Sequence, residues 1–167
     1  MAMTTYQSDA AIVQNEPETE GVSQLLQQES TSGGYLDVIE TVITSLAQEG
    51  SAMVNQSDAG HVWKFCYGSV EVFVQLTGDS DEDTLTVWSP VLKLPAKNEA
   101  QLTRKLLEMN WLSTFEACFG IFNNEVVVLT SRTLAELSPG EISRSITIVA
   151  TIADDNDESL QAEFGGA

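Results

Sequence analysis

Residues 106–130 read LLEMNWLSTFEACFGIFNNEVVVLT, and three kinds of structure follow one another in that stretch. Leu106 and Met109 continue, at three- and four-residue steps, an apolar stripe that begins at Leu102, which is the pattern of the end of an amphipathic helix. The runs 117–122 and 125–130 are dense in Phe, Ile and Val, the residue types that suit strands. Only Asn123-Asn124 separates them, and a two-residue hairpin turn needs positive φ at its centre, which asparagine tolerates. The stretch therefore predicts a helix end, a short corner and a tight hairpin, and the rest of the chain is expected to pack against this unit or hang from it.

Upstream, Leu36, Ile39, Val42, Ile43 and Leu46 form one apolar stripe that predicts a first helix over 35–49, with Asp37 and Glu40 near its start and Gly50 as a left-handed stop. A loop is expected over 51–60. Strands follow at 61–67 and 70–77, joined by a Gly68-Ser69 turn, and at 84–94, where Pro90 demands a bulge or an edge position. In the second of these, Val70, Val72, Val74 and Leu76 alternate with Glu71, Phe73 and Gln75. In the third, Leu85 and Val87 lie opposite Thr86 and Trp88. A second helix is expected over 97–113. Ser138-Pro139-Gly140-Glu141 fits a capping box with proline at the first helical position. The spacing of Ile142, Ile146, Val149 and Ala153 then favours a helix to about Asp154, although 146–152 also alternates like a strand. The order α-β-β-β-α-β-β-α predicts an α+β fold, a five-stranded antiparallel sheet with helices packed on it. Residues 1–34, rich in Gln, Ser, Thr and Glu, read as a flexible acidic tail with one apolar cluster, Val22, Leu25 and Leu26. The rival reading of that tail is a segment that folds on a partner. Residues 154–167 read as a second acidic tail, which leaves 35–153 as the domain.

Composition excludes several classes of function. The chain has 167 residues, enough for one domain, and 25 acids against seven bases give a net charge of −18. That field repels phosphate backbones and anionic lipid, so nucleic acid and membrane surfaces are poor partners. The apolar runs are too short to span a bilayer, and the first residues lack the basic and apolar regions of an export signal. Cys66 and Cys118 are therefore expected as reduced thiols in a cytoplasmic protein, inert and buried in their strands rather than paired.

Candidate chemistry is sparse. His61 is the single histidine and stands at a strand start with no nucleophile motif beside it. With one His and no C-x-x-C spacing, zinc is not expected. Asp79, Asp81 and Asp83 alternate as calcium ligands do, but Thr84 stands where the loop glycine belongs and Pro90 where the bidentate glutamate belongs. The run Asp155-Asn156-Asp157 fails in the same way, with Leu160 in place of glycine. No glycine-rich phosphate loop is present, and Arg104-Lys105 is the only basic pair. No catalytic residue, metal site or cofactor is expected. The aromatic residues are more informative. A sheet with helices on one side leaves its other face uncovered, so whichever of Phe73, Trp88 or Phe122 points there needs cover from a second subunit or a bound segment. Trp88 and Trp111 are the expected interface anchors.

The element order, together with L-L-E-M-N-W-L before the hairpin and L-S-P-G-E-I at the last helix, resembles the YbjN-type domain over about 35–153, and most nearly its cyanobacterial branch, for which no specific activity is implied. That family is similar in fold to the class I type III secretion chaperones, which are small acidic homodimers that bind extended segments of partner proteins. The resemblance implies a non-enzymatic cytoplasmic protein-binding module, chaperone-like or regulatory, that forms a homodimer. The alternative expectation is a small-molecule sensor or enzyme with a pocket between sheet and helices.

Overall fold

A computed structural model describes residues 32–57 and 60–166, all of them within the compact unit Thr31–Ala167. The elements are α1 (Ser32–Leu46), β1 (Met53–Ser57), β2 (Gly60–Tyr67), β3 (Val70–Leu76), β4 (Thr84–Lys93), α2 (Glu99–Leu112), β5 (Cys118–Phe122), β6 (Glu125–Thr133) and α3 (Pro139–Phe164). The six strands form one antiparallel sheet in the order β1-β2-β3-β4-β6-β5. The α+β class and the antiparallel sheet are as the periodicities predict, with one strand more than expected. The expected N-terminal tail, 1–34, lies outside the described residues except for its last three, which open α1.

The added strand is β1, in the segment expected as a loop. It has only two large apolar residues, and both stay exposed, Met53 at 67% and Val54 at 59%. A strand that buries nothing shows no alternation to read; β1 exists because its main chain pairs with β2 from Met53↔Lys64 to Ser57↔Gly60. At the opposite edge, β5 is capped at one residue. Phe119 N–H donates to Asn110 Oδ1 at 2.7 Å, and Asn110 Nδ2 donates back to the Phe119 carbonyl at 3.3 Å. One amide side chain of α2 thus satisfies both outward groups of Phe119, which blunts that edge against further pairing. The hairpin turn is as read, with Asn123 and Asn124 at φ 49° and 61°, and Pro90 sits at a register shift in β4.

Helix α3 spreads across β3, β4 and β6, and α1 packs on α3. Ile142, Ile146, Val149, Ala150 and Ala153 meet Val72, Val74, Leu85, Val87, Val126 and Val128 in one core with Ile39, Phe65 and Leu102. The helix does not end near Asp154. It runs on to Phe164, with Leu160 and Phe164 fully buried and Asp157 beside them, so the stretch 154–164 is helix rather than tail. The stripe continues at the same spacing, but a carboxylate occupies its next position, and that interruption hid the continuation. At the other end of the core, α1 stops at Leu46, earlier than Gly50; Gln48 N–H leaves the helix to bond the Cys66 carbonyl at 3.0 Å. Gly50, at φ 75°, turns the following loop.

The start of α3 carries a complete capping box. Ser138 Oγ accepts from Glu141 N–H, and Glu141 Oε2 accepts from Ser138 N–H at 2.9 Å. The Glu141 carboxyl is held below its ordinary value by the Ser138 backbone donor first, then by the Ser138 hydroxyl and Arg132. A group whose value is depressed by folding stabilises above its unfolded value and loses that contribution as pH falls through the folded one. Ser138→Ala is expected to cost about 1 kcal/mol in urea unfolding at neutral pH. That difference should shrink when the measurement is repeated below the ordinary glutamate range; an unchanged gap there would assign the loss to something other than the box.

Candidate functional site

The side of the sheet away from the helices carries a continuous aromatic row. The register places Phe73 opposite Trp88, Trp88 opposite Leu129 and Leu129 opposite Cys118. Phe73 and Trp88 stack with centroids 5.2 Å apart and planes 9° from parallel, and Phe122 meets Trp88 edge-on at 6.2 Å. Lys64 lies at one end, its Nζ 5.5 Å from the Phe73 centroid and 2.6 Å from Glu71 Oε1. Beneath the rings Val127 is 1% exposed, which shows how completely the row covers its own sheet. Phe73 and Trp88 remain half-buried and Phe122 is 52% exposed.

Three of the four expected interface residues therefore share one face. The fourth, Trp111, does not. It stands on the outer side of α2 at 89% exposed, one turn from Leu107, with Leu112 at 77%. Phe115 follows in the corner, held at φ 53° and also exposed. A β-carbon at positive φ is strained, and the Phe115 ring lines a groove of 350 Å³ together with Ser113 at the end of α2 and Ile148 and Ile152 on α3. The sequence showed Leu107 and Trp111 beside the helix stripe, but not Phe115, because nothing local marks a phenylalanine for the left-handed region.

A second concavity, of 640 Å³, opens where β3 begins and β4 ends, next to the C-terminus of α3. Its walls include Glu71, Phe73, Lys93, Glu125 and Asp157. The Ser69 hydroxyl there faces carboxylates with no histidine, so it has no base of the kind that activates a serine. His61 lies elsewhere, stacked on Trp63 at 5.5 Å. Cys66 and Cys118 are free thiols on strands four sheet positions apart, about 19 Å at the usual strand spacing. Cys66 is half-buried, and Cys118 is exposed rather than buried as expected, because it lies on the face away from the helices, opposite Leu129, whereas the next residue, Phe119, faces the core. No group of three or more His, Cys, Asp or Glu able to hold a metal occurs among the described residues, and no described helix is long and apolar enough to cross a membrane.

The acidic turn between β3 and β4 is engaged in its own structure. Asp83 accepts from the Ser80 hydroxyl at 2.6 Å, from Ser80 N–H at 3.0 Å and from the Thr77 hydroxyl at 2.9 Å, and these donors hold its carboxyl below the usual range.

These surfaces sit on a framework that other proteins share. Residues 35–162 match the YbjN family, described as "Putative bacterial sensory transduction regulator". The chain belongs to the YbjN family. Among solved structures, a chain of the ExsC-ExsE complex is 17% identical, with a TM-score of 0.55 over 77% of this chain and 93% of that one. A chain of the HopA1-SchA chaperone-effector complex is 12% identical, with a TM-score of 0.51 over 74% and 93%. At these identities the likeness is one of fold, and it is the chaperone-like fold that the resemblance to the YbjN family implies. Among curated proteins none matches the chain.

Two measurements check the site as described. A double-mutant cycle on Phe73→Ala and Trp88→Ala, read by urea unfolding, is expected to show coupling of about 0.5–1.5 kcal/mol; additive losses would mean the stack contributes nothing. Calorimetric titration with calcium chloride is expected to show no stoichiometric site at Asp79, Asp81 and Asp83, and a micromolar one would contradict the assignment of Asp83 to its own turn.

Proposed function

We propose that this YbjN chain is a non-enzymatic cytoplasmic protein-binding module, chaperone-like or regulatory, that holds an extended segment of a partner protein on the open face of its sheet. The observation that carries this reading is the stacked row Phe73–Trp88–Phe122, exposed on a face that no described element covers. Flat aromatic surface supplies contact area at low entropic cost, and exposed aromatics are enriched where proteins meet. The similar folds support the reading, since both solved chains come from complexes and one is a chaperone-effector complex. The −18 charge argues against nucleic acid and anionic membrane as the partner.

The same chain is proposed to form a homodimer through the outer face of α2, with Trp111 as the anchor and Leu107, Leu112 and Phe115 around it. Two chains at −18 repel, so the contact rests on apolar area and is strengthened by added salt. Sedimentation equilibrium at low and high salt is expected to show a dimer that tightens with salt and dissociates on Trp111→Ala, while Trp88→Ala leaves it intact. A wild-type monomer at both salts would remove the dimer. The partner site is checked by affinity capture from native lysate: proteins retained by wild type and by Trp111→Ala should be lost with Trp88→Ala, and an identical set from all three would remove the sheet face as the binding site.

A further inference from the structure

Helix α3 breaks its own pattern at one position. The buried stripe Ile142, Ile146, Val149, Ala153 resumes at Leu160 and Phe164, and between them it places Asp157, 4% exposed. A carboxylate moved out of water needs donors from the protein. Asp157 receives one hydroxyl, Ser69 Oγ, at 3.1 and 3.0 Å from its two oxygens. The same Ser69 Oγ lies 3.0 Å from Asp154 Oδ1. A serine hydroxyl has one hydrogen and a carboxylate about four acceptor sites, so two carboxylates share a single proton donor. Asp154 has Ser69 N–H as well, at 2.7 Å; Asp157 has no further donor among the described residues. The ion pairs among the described residues all involve other carboxylates.

Asp157 lines the 640 Å³ cleft, and so do Glu71 and Glu125, against a single base, Lys93. Gly165 and Gly166 bring the C-terminal end of α3 to the same wall. That end of a helix carries partial negative charge, and the last turn of α3 holds no base of its own, although Lys97 Nζ beside Gly166 and Lys105 on Glu163 offset part of it. Three carboxylates against Lys93 leave the cleft wall net negative, which favours a positive charge. A bare metal ion lacks a ligand set there among the described residues. Phe73 and Pro90 instead form a wall suited to the aliphatic stem of a long basic side chain. Phe73 is also the first ring of the aromatic row, so the cleft and the row are one continuous surface.

We infer that the cleft receives an arginine or lysine side chain, its cationic head on Asp157, from the segment that lies along Phe73, Trp88 and Phe122; this rests on the sheet-face reading above. The partner is then an extended segment that combines apolar residues with a basic one at fixed spacing. Selection of a displayed library of random short peptides against the full chain should enrich that pattern. For an enriched arginine peptide, replacement by citrulline, or for a lysine peptide acetylation, should weaken binding to wild type about tenfold or more, because the positive charge is lost. Asp157→Asn, whose amide both donates and accepts, should bind the two forms alike, and Trp88→Ala should weaken both equally. Enrichment without a basic position, equal binding of charged and neutral forms by wild type, or an Asp157→Asn protein that still prefers the charged form overturns the cation site and leaves the sheet-face reading standing. If no peptide is enriched whose binding Trp88→Ala abolishes, both fall together.

Discussion

The burial of α3 against the middle of the sheet is the constraint on which the other features depend. Its apolar stripe lies over β3, β4 and β6, and α1 completes the cover by packing on α3 rather than standing alone. Fully burying one Leu, Ile or Phe side chain is worth about 1.5–3 kcal/mol, and the stripe from Ile142 to Phe164 supplies several. No other described helix packs on three strands as α3 does on β3, β4 and β6. The complete capping box at Ser138 and Glu141 sets where the helix starts, and so which of its faces meets Val87 and Val128.

Covering one face so fully leaves the other with main-chain pairing and lateral contact alone. The row Phe73, Trp88 and Phe122 is the result: large rings that shield Val127 and one another but gain no layer above them. The edges differ in the same spirit. Asn110 satisfies Phe119 on the β5 edge, whereas β1 pairs with β2 alone among the described strands. The charge is distributed so that these surfaces stay usable. Of the seven bases, Lys64 and Lys93 flank the aromatic face, and the acidic turn at Asp79–Asp83 lies beyond the opposite ends of β3 and β4. Apolar contact with another chain is thus possible in a molecule whose overall field is strongly repulsive.

Much of the fold was legible because its stabilising contacts leave periodic traces. Val70 to Leu76 alternates because one face of β3 is core, and Asn123-Asn124 marks its turn by backbone chemistry alone. The likeness to the YbjN family rested on the element order and on two short motifs in which Leu106, Leu137 and Ile142 are buried while Leu107, Trp111 and Leu112 are exposed. Elements that bury little left no trace: Met53 and Val54 in β1 are exposed, so their strand depends on a partner strand distant from any local signal. The end of α3 was concealed for the opposite reason, since Asp157 is buried where burial of a carboxylate is not expected. The site was partly legible. Alternation offered Phe73, Trp88 and Phe122 as candidates for the uncovered face without saying which of them point there, and it could not say that Trp111 belongs to a different surface.

The sequence by itself determined the class, the hairpin and the capped last helix, because each depends on residue type and spacing within one element. Only the tertiary structure decided which aromatics stack, that Asn110 satisfies Phe119 on the β5 edge, and that Ser69 in the β2–β3 turn meets Asp154 and Asp157 some 85 and 88 residues further along. Those contacts join residues far apart in the chain, and their distances depend on how α3 and the sheet pack. A pattern that repeats within one helix or strand carries no record of that packing.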